Sequence, residues 1–281
     1  MTATDSVSPT QVFSPSATAP STRIAIFAAT FMEMKSVEAA FRPGIERRID
    51  GMSVVVCTAG PKEYWLARTG VGPAKASVVA ARLLAYQPFS LVVSTGFACA
   101  LIEVEIGALL AGSNVMQVDG QGEDASQALE ASGVERDRVM ALVENAEPAG
   151  HVGRFVSTDH IIGRASEKRR FSCSTGAIGL DMESAALAAE ARRAKVPFVI
   201  VRTASDLLDE DLPLDFNLFL RPTAWLQGVG ALLGNPSSVR GLLRLRRQSQ
   251  AAAKNLTAFF QRYAAGMLAD GGRAGIRVDR S

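Results

Sequence analysis

GLDMESAALAAEARRAKVPFVIVRTASD, residues 179–206, is the stretch that decides the fold. GAIGLDM (176–182) reads as a strand and ESAALAAEARRAKV (183–196) as a helix. PFVIVRTASD (197–206) is a second strand that ends in a polar turn. The helix is short and starts at once, as in a crossover that joins two strands of one sheet.

The same alternation runs upstream. RIAIFAAT (23–30) is a buried strand, and MEMKSVEAAF (32–41) has helical spacing with Met34, Val37 and Phe41 on one face. GMSVVVCTAG (51–60) reads as a strand, and YWLARTGVG (64–72) as a strand running into a glycine turn. PAKASVVAARLLAYQ (73–87) is a helix with Pro73 suited to its first turn. FSLVVSTGFACAL (89–101) is a buried strand. This pattern predicts an α/β fold whose sheet is covered on both faces. Residues 119–150 are polar and rich in turn formers, with a short helix expected around 135–145. Order resumes with a strand at GRFVSTDHII (153–162), then a helix or turn at SEKRRF (166–171) with Ser166 as a candidate cap. From 222 onward the chain reads as helices, a C-terminal extension (222–281) expected to pack on a domain spanning 22–221.

Composition narrows the function classes. The chain has 281 residues, 48% hydrophobic and 21% charged, which suits a globular protein with a sizeable core. A net charge of +2 gives no nucleic-acid signature. The basic cluster RGLLRLRRQSQ (240–250) reads as a solvated helix face, with contact to a membrane or anionic partner as the alternative. Cys57, Cys99 and Cys173 show no CxxC spacing, which argues against zinc or a disulfide framework and fits a reducing, cytoplasmic setting. Each is expected to be a small buried residue. His151 and His160 imply no metal. Residues 1–21 are rich in Ser, Thr, Ala and Pro and lack the apolar core of a secretory signal; they read as a disordered tail.

Three places can carry chemistry, all at strand ends, where ligands of open α/β sheets bind. Glu33 follows the first strand; it is either a base toward water or an acidic residue favoured by the helix dipole. Asp181, Met182 and Glu183 form either an acidic helix start or a diol-binding carboxylate with an apolar wall. Ser205 and Asp206 close a buried strand. Burial raises a carboxyl pKa and lets Asp206 hold a proton for a leaving group; otherwise it caps the next turn. The turn TGVGP (69–73) lacks the third glycine of a dinucleotide fingerprint, yet it allows close backbone approach to a ligand. No GxSxG, HExxH or P-loop is present.

In combination, RIAIFAATFMEMKSV, ARTGVGPAKASVVAARLL, LVVSTGFACAL, GLDMESAALA and VPFVIVRTASD resemble the nucleoside phosphorylase/nucleosidase superfamily over roughly 22–220. The resemblance implies a three-layer α/β/α fold with a central mixed β-sheet. It also implies assembly as homodimers or larger oligomers and no cofactor beyond inorganic phosphate in the phosphorylase case. By motif the nearest activity is methylthioadenosine/S-adenosylhomocysteine nucleosidase, hydrolysing an N-glycosidic bond of adenine nucleosides. Glu33 would then activate water. Glu183 would bind the ribose hydroxyls with Met182 packed on the sugar. Asp206 would serve the purine N7, with Ser205 orienting it. Gly72, Thr95, Gly96, Phe97, Ile161 and Ile162 would complete the nucleoside site. Phosphorylases of the superfamily usually hold phosphate with arginine and serine, whereas the loop Ser94–Phe97 has no arginine, which favours hydrolysis. Arg68 and Arg202 keep phosphorolysis open. STDHIIGRASEKRRF and the basic, leucine-rich C-terminal part also resemble hopanoid-associated phosphorylase-like proteins. That branch implies adenine removal from an adenosyl-lipid and a peripheral membrane contact. A different class, a non-catalytic nucleoside-binding protein on the same fold, remains the competing expectation.

Overall fold

The computed structural model describes residues 22–118, 124–125, 134–147, 150–213 and 236–273. The expected tail at 1–21 and the expected helix TAWLQGVGALLG lie outside the described residues. Among the described residues ten strands form one mixed sheet: β1 (Thr22–Ala28), β2 (Gly44–Ile49), β3 (Met52–Ala59), β4 (Lys62–Arg68), β5 (Leu91–Ala100), β6 (Leu109–Val118), β7 (Asp124–Ala125), β8 (His151–Thr158), β9 (Gly179–Asp181) and β10 (Phe198–Asp206). Six helices among the described residues accompany them: α1 (Phe31–Ala40), α2 (Pro73–Tyr86), α3 (Val134–Glu144), α4 (Ala165–Thr175), α5 (Ser184–Arg193) and α6 (Pro236–Arg273).

The long strand β5 is the hub. It pairs in parallel with β1 and with β10, and its far end pairs antiparallel with β9. The path β5–β10–β6–β8–β9 returns to β5, so five strands close into a ring. From β1 the sheet continues outward through β4, β3 and β2. The inner strands are apolar because both faces are covered. On one face Ile24 and Ile26 pack with Met34 and Val37 of α1 and the Phe41 that caps its end, Val139 and Val143 of α3, and Leu256, Phe259 and Phe260 of α6. On the other, Ala25 and Phe27 pack with Ala76 and Leu83 of α2 and Leu187 and Ala188 of α5. This is the three-layer arrangement, with Met34, Val37 and Phe41 on one buried helix face as their spacing predicts.

The C-terminal helix is fastened by aromatics. Phe41 stacks on Tyr64 at 4.3 Å and meets Phe260 at 5.7 Å, and Tyr64 meets Tyr263 at 6.1 Å. Each such buried ring contributes about 1.5–3 kcal/mol by leaving water. The Thr257 hydroxyl donates to the Ser36 carbonyl on α1 at 2.8 Å.

Local expectations need three corrections. Strands β2 and β6 appear where the sequence reading placed none. Ser166 is not the cap of α4: the helix starts at Ala165, whose N–H donates to Asp211 Oδ1 at 2.7 Å. Of the cysteines only Cys57 is fully buried; Cys173 is exposed and Cys99 is half-buried. Among the described residues no helix is long and apolar enough to cross a membrane, and no cluster of His, Cys, Asp and Glu could hold a metal.

Candidate active site

The parallel strands β1, β5 and β10 end on one side of the sheet, and β9 reaches the same place from the opposite direction. A cavity of about 360 Å³ opens there. Glu33, Asp181, Glu183 and Asp206 all line it, so one crevice gathers the acidic residues of all three strand-end motifs.

Glu33 holds its place through α1. Thr30 caps the helix, and the reciprocal bond of the capping box brings Glu33 Oε2 to the Thr30 N–H (2.7 Å) and hydroxyl (2.8 Å). Oε1 accepts the Phe97 N–H at 2.7 Å. A carboxylate offers about four acceptor sites, so these three bonds leave one, on Oε1. The approach depends on Gly96. A Cβ there would sit 2.3 Å from Glu33 Oε1, and φ is +138°. The helix-cap and catalytic readings of Glu33 are therefore compatible.

Asp181 and Glu183 have separate roles. Asp181 is buried in the frame. Its Oδ1 accepts the Ser157 hydroxyl at 2.6 Å and the N–H groups of Glu183 and Ser184 at 3.2 and 3.0 Å. Its Oδ2 bonds the Ser184 hydroxyl and lies 2.7 Å from Arg202 Nε. Glu183 faces the cavity, and its Oε1 accepts the Gly72 N–H at 2.8 Å, at the start of α2. Burial pushes its carboxyl up to about 7. The Arg202 charge and the Gly72 bond pull the other way, and Asp181 and Glu33 add to the rise.

Arg202 is the buried cation of this wall, and its partners are all internal. Nη1 donates to the Phe97 carbonyl at 3.0 Å. Nη2 donates to the Ser94 and Ser184 hydroxyls at 3.1 and 3.2 Å and lies 3.8 Å from Glu183 Oε2.

The third motif is shaped by a bulge. Along β10, Ala204 pairs with Ala98 but Asp206 pairs with Cys99, leaving Ser205 as the extra residue. A regular strand would send Ser205 and Asp206 to opposite faces. The bulge re-aims them, and both line the cavity. Asp206 Oδ1 accepts Lys168 Nζ at 2.7 Å. Burial raises the Asp206 carboxyl pKa, while Lys168 and the Cys99 thiol oppose the rise. Asp206 is thus paired with a lysine rather than capping the turn that follows. Cys99 lines the cavity beside it, its thiol pKa pushed up by burial, so it is not poised as a nucleophile.

The remaining expectations sort cleanly. Phe97, Ile161, Ile162 and Met182 line the cavity. Gly72 and Gly96 act behind the wall, through backbone N–H and lack of a side chain. Thr95 does not reach the cavity: it is fully buried, and its hydroxyl is used on the Val201 carbonyl at 2.7 Å. Arg68 is exposed at the end of β4. Sequence reasoning missed Lys168, Leu212 and Leu245. The last two add apolar wall from the loop after β10 and from α6.

Comparison with known proteins gives the family and the fold. A family model described as the phosphorylase superfamily matches residues 22–223. A 5′-methylthioadenosine/S-adenosylhomocysteine nucleosidase of Staphylococcus aureus is 26% identical over 175 residues, covering 58% of this chain and 77% of the relative. Among solved structures, the S-adenosylhomocysteine nucleosidase of Streptococcus pyogenes superposes with a TM-score of 0.64 at 19% identity, over 88% of this chain and 99% of that one. The futalosine hydrolase of Helicobacter pylori superposes with a TM-score of 0.64 at 19% identity, over 86% and 98%. At such identities these structures speak for the fold.

Proposed function

The chain belongs to the phosphorylase superfamily, and from that premise we propose that it is a nucleosidase, hydrolysing the N-glycosidic bond of a purine nucleoside. The substrate is an adenine nucleoside with a substituted 5′ position, in keeping with the nucleosidase relatives. The observation that carries water over phosphate is the state of Arg202. Its guanidinium is surrounded by Asp181, Glu183, two serine hydroxyls and a carbonyl, which leaves no unpaired cation for a dianion. A phosphate placed beside those carboxylates would be repelled.

Each residue has a task. Water takes the last acceptor site of Glu33 and attacks C1′ as the bond to the base breaks. Its proton passes to Glu33. The bonding electrons leave with the purine, and Asp206 delivers a proton to N7, so the base departs neutral. Ser205 orients Asp206 or the base beside it. Glu183, anchored on one oxygen by Gly72, turns its remaining acceptor sites to the ribose hydroxyls. Its charge favours the positive sugar of the transition state. Phe97, Ile161, Ile162 and Met182 enclose base and sugar apolarly. The reading includes a homodimer in the cytoplasm, and exposed Phe31 and Met32 at the start of α1 are side chains a second copy would cover; sedimentation tests this part.

The decisive assay supplies methylthioadenosine, S-adenosylhomocysteine, adenosine and inosine with and without phosphate and follows free base. Release at equal rates without phosphate is the expected result, with Glu33→Gln and Asp206→Asn each slower by about 10²–10⁴-fold. Release that requires phosphate refutes hydrolysis. Tight nucleoside binding with no turnover makes the chain a binding protein instead.

A further inference from the structure

Lys168 lies outside the five motifs that carry the nucleosidase resemblance, yet it is fully buried and touches Asp206. An ammonium has three protons to donate. Here they go to Asp206 Oδ1 at 2.7 Å, the Leu207 carbonyl at 2.9 Å and the Glu210 carbonyl at 2.6 Å. All three acceptors belong to the end of β10 and the loop that follows. We propose that Lys168 is the positioning residue for the leaving-group acid, holding the Asp206 carboxyl in one orientation on the cavity wall and fixing the pH range in which it carries its proton. This rests on the reading of Asp206 as the acid.

A purely structural role explains the arrangement poorly. Burying an ion pair costs more desolvation than a well-packed apolar pair, which is often as stable or more so. The partner here is a group that lines the cavity, where orientation and charge have consequences for chemistry. The loop it grips is braced from outside as well. Asp211 caps α4 through Ala165 N–H, and the Leu212 N–H donates to the Gly163 carbonyl at 2.8 Å. From α6, Gln248 donates to Glu210 Oε2 at 2.7 Å. The groups that face Asp206 are Lys168 from α4, Cys99 from β5 and Glu210 from the loop. Lys168 is the cation among them. Cys99 also acts to lower the Asp206 pKa, and the Glu210 charge acts against ionisation.

The sign follows. An acid must be protonated to act, so kcat/KM falls as pH rises through the pKa of Asp206. The Lys168 charge holds that pKa down. Replacing it with a neutral side chain therefore moves the descending limb to higher pH, by about one pH unit or more, since an opposite charge in contact commonly shifts a carboxyl by 1–3 units. The plateau falls about tenfold or more from lost orientation.

The test is the pH profile of base release for wild type, Lys168→Met and Lys168→Gln. The glutamine side chain keeps a hydrogen-bond donor and a similar length, so Lys168→Gln provides a folded comparison if the methionine variant fails. An upward-shifted limb in a folded variant supports the assignment. A lower plateau with an unmoved limb, or an unchanged profile, overturns it. Asp206→Asn run alongside separates the two levels. If that variant still releases base at the wild-type rate, the acid assignment itself falls. If it is inactive while the limb of the Lys168 variants stays put, only the role of Lys168 falls.

Discussion

Replacing Glu183 with glutamine should make the protein more stable and less active. The carboxyl of Glu183 is buried, and its pKa rises from the ordinary 4.5 to about 7. Between those values the unfolded chain has already lost this proton while the folded one keeps it. Stability therefore falls as pH rises through this window, the reverse of a salt-bridged carboxylate. At 1.36 kcal/mol per pH unit the full loss is about 3 kcal/mol, complete above roughly pH 8 and absent below roughly pH 4. Glutamine cannot ionise, yet it can still accept the Gly72 N–H. Urea unfolding of wild type and Glu183→Gln at pH 5, 7 and 8.5 measures the difference. The variant should match wild type at pH 5 to within about 1 kcal/mol and gain most of the roughly 3 kcal/mol at pH 8.5. Base release should fall by about 10²-fold or more, because the ribose loses its carboxylate. Equal stability of the two proteins at all three pH values would refute the account of a strained, desolvated carboxylate.

Other outcomes follow from particular contacts. Gly96→Ala places a methyl 2.3 Å from Glu33 Oε1 and 3.1 Å from Arg202 Nη1, at a φ of +138°; kcat/KM should drop by about 10²-fold in a protein whose circular dichroism is unchanged. Arg202→Met leaves Asp181 buried beside Glu183 without its cation; unfolding measurements should show a loss of about 3–5 kcal/mol. Leu245→Ala removes one apolar wall of the cavity; KM should rise about tenfold, with kcat within about twofold, since a contact equal in ground and transition states affects binding alone.

Much of the fold was legible because both signals were local. The buried strands announce themselves by apolar runs, and α1 by the spacing of Met34 and Val37. Strand β2 did not, because GIERRI is mostly exposed, with charged residues at its centre and only Ile49 buried. Strand β6 also passed unread: in LLAGSNVMQV the apolar run is broken by Gly112, Ser113 and Asn114. At the site, Asp181 and Asp206 were visible because each ends a strand, and Glu33 and Glu183 because each opens the helix that follows one. Lys168 was hidden inside a polar helix, EKRRF, where five-residue composition cannot separate the one inward-facing lysine from its exposed neighbours. The distinction depends on the pairing with Asp206, 38 residues away. Thr95 shows the opposite failure. The stretch read as a ligand loop is the middle of β5, where the Thr95 hydroxyl is spent on the Val201 carbonyl.

The closed ring of strands also bears on how the molecule behaves in a crowded solution. A strand in the ring has partners on both sides, so β5, β10, β8 and β9 offer no free row of backbone donors to another chain. Among the described residues the long strand left with an open flank is β2. That strand carries Glu46, Arg47 and Arg48 in succession, with only Ile49 buried. Adding a second copy there would bring charged side chains into register along an exposed ribbon. Among the described residues the long open flank of the sheet is thus poorly suited to recruiting a neighbour, which discourages strand-to-strand aggregation.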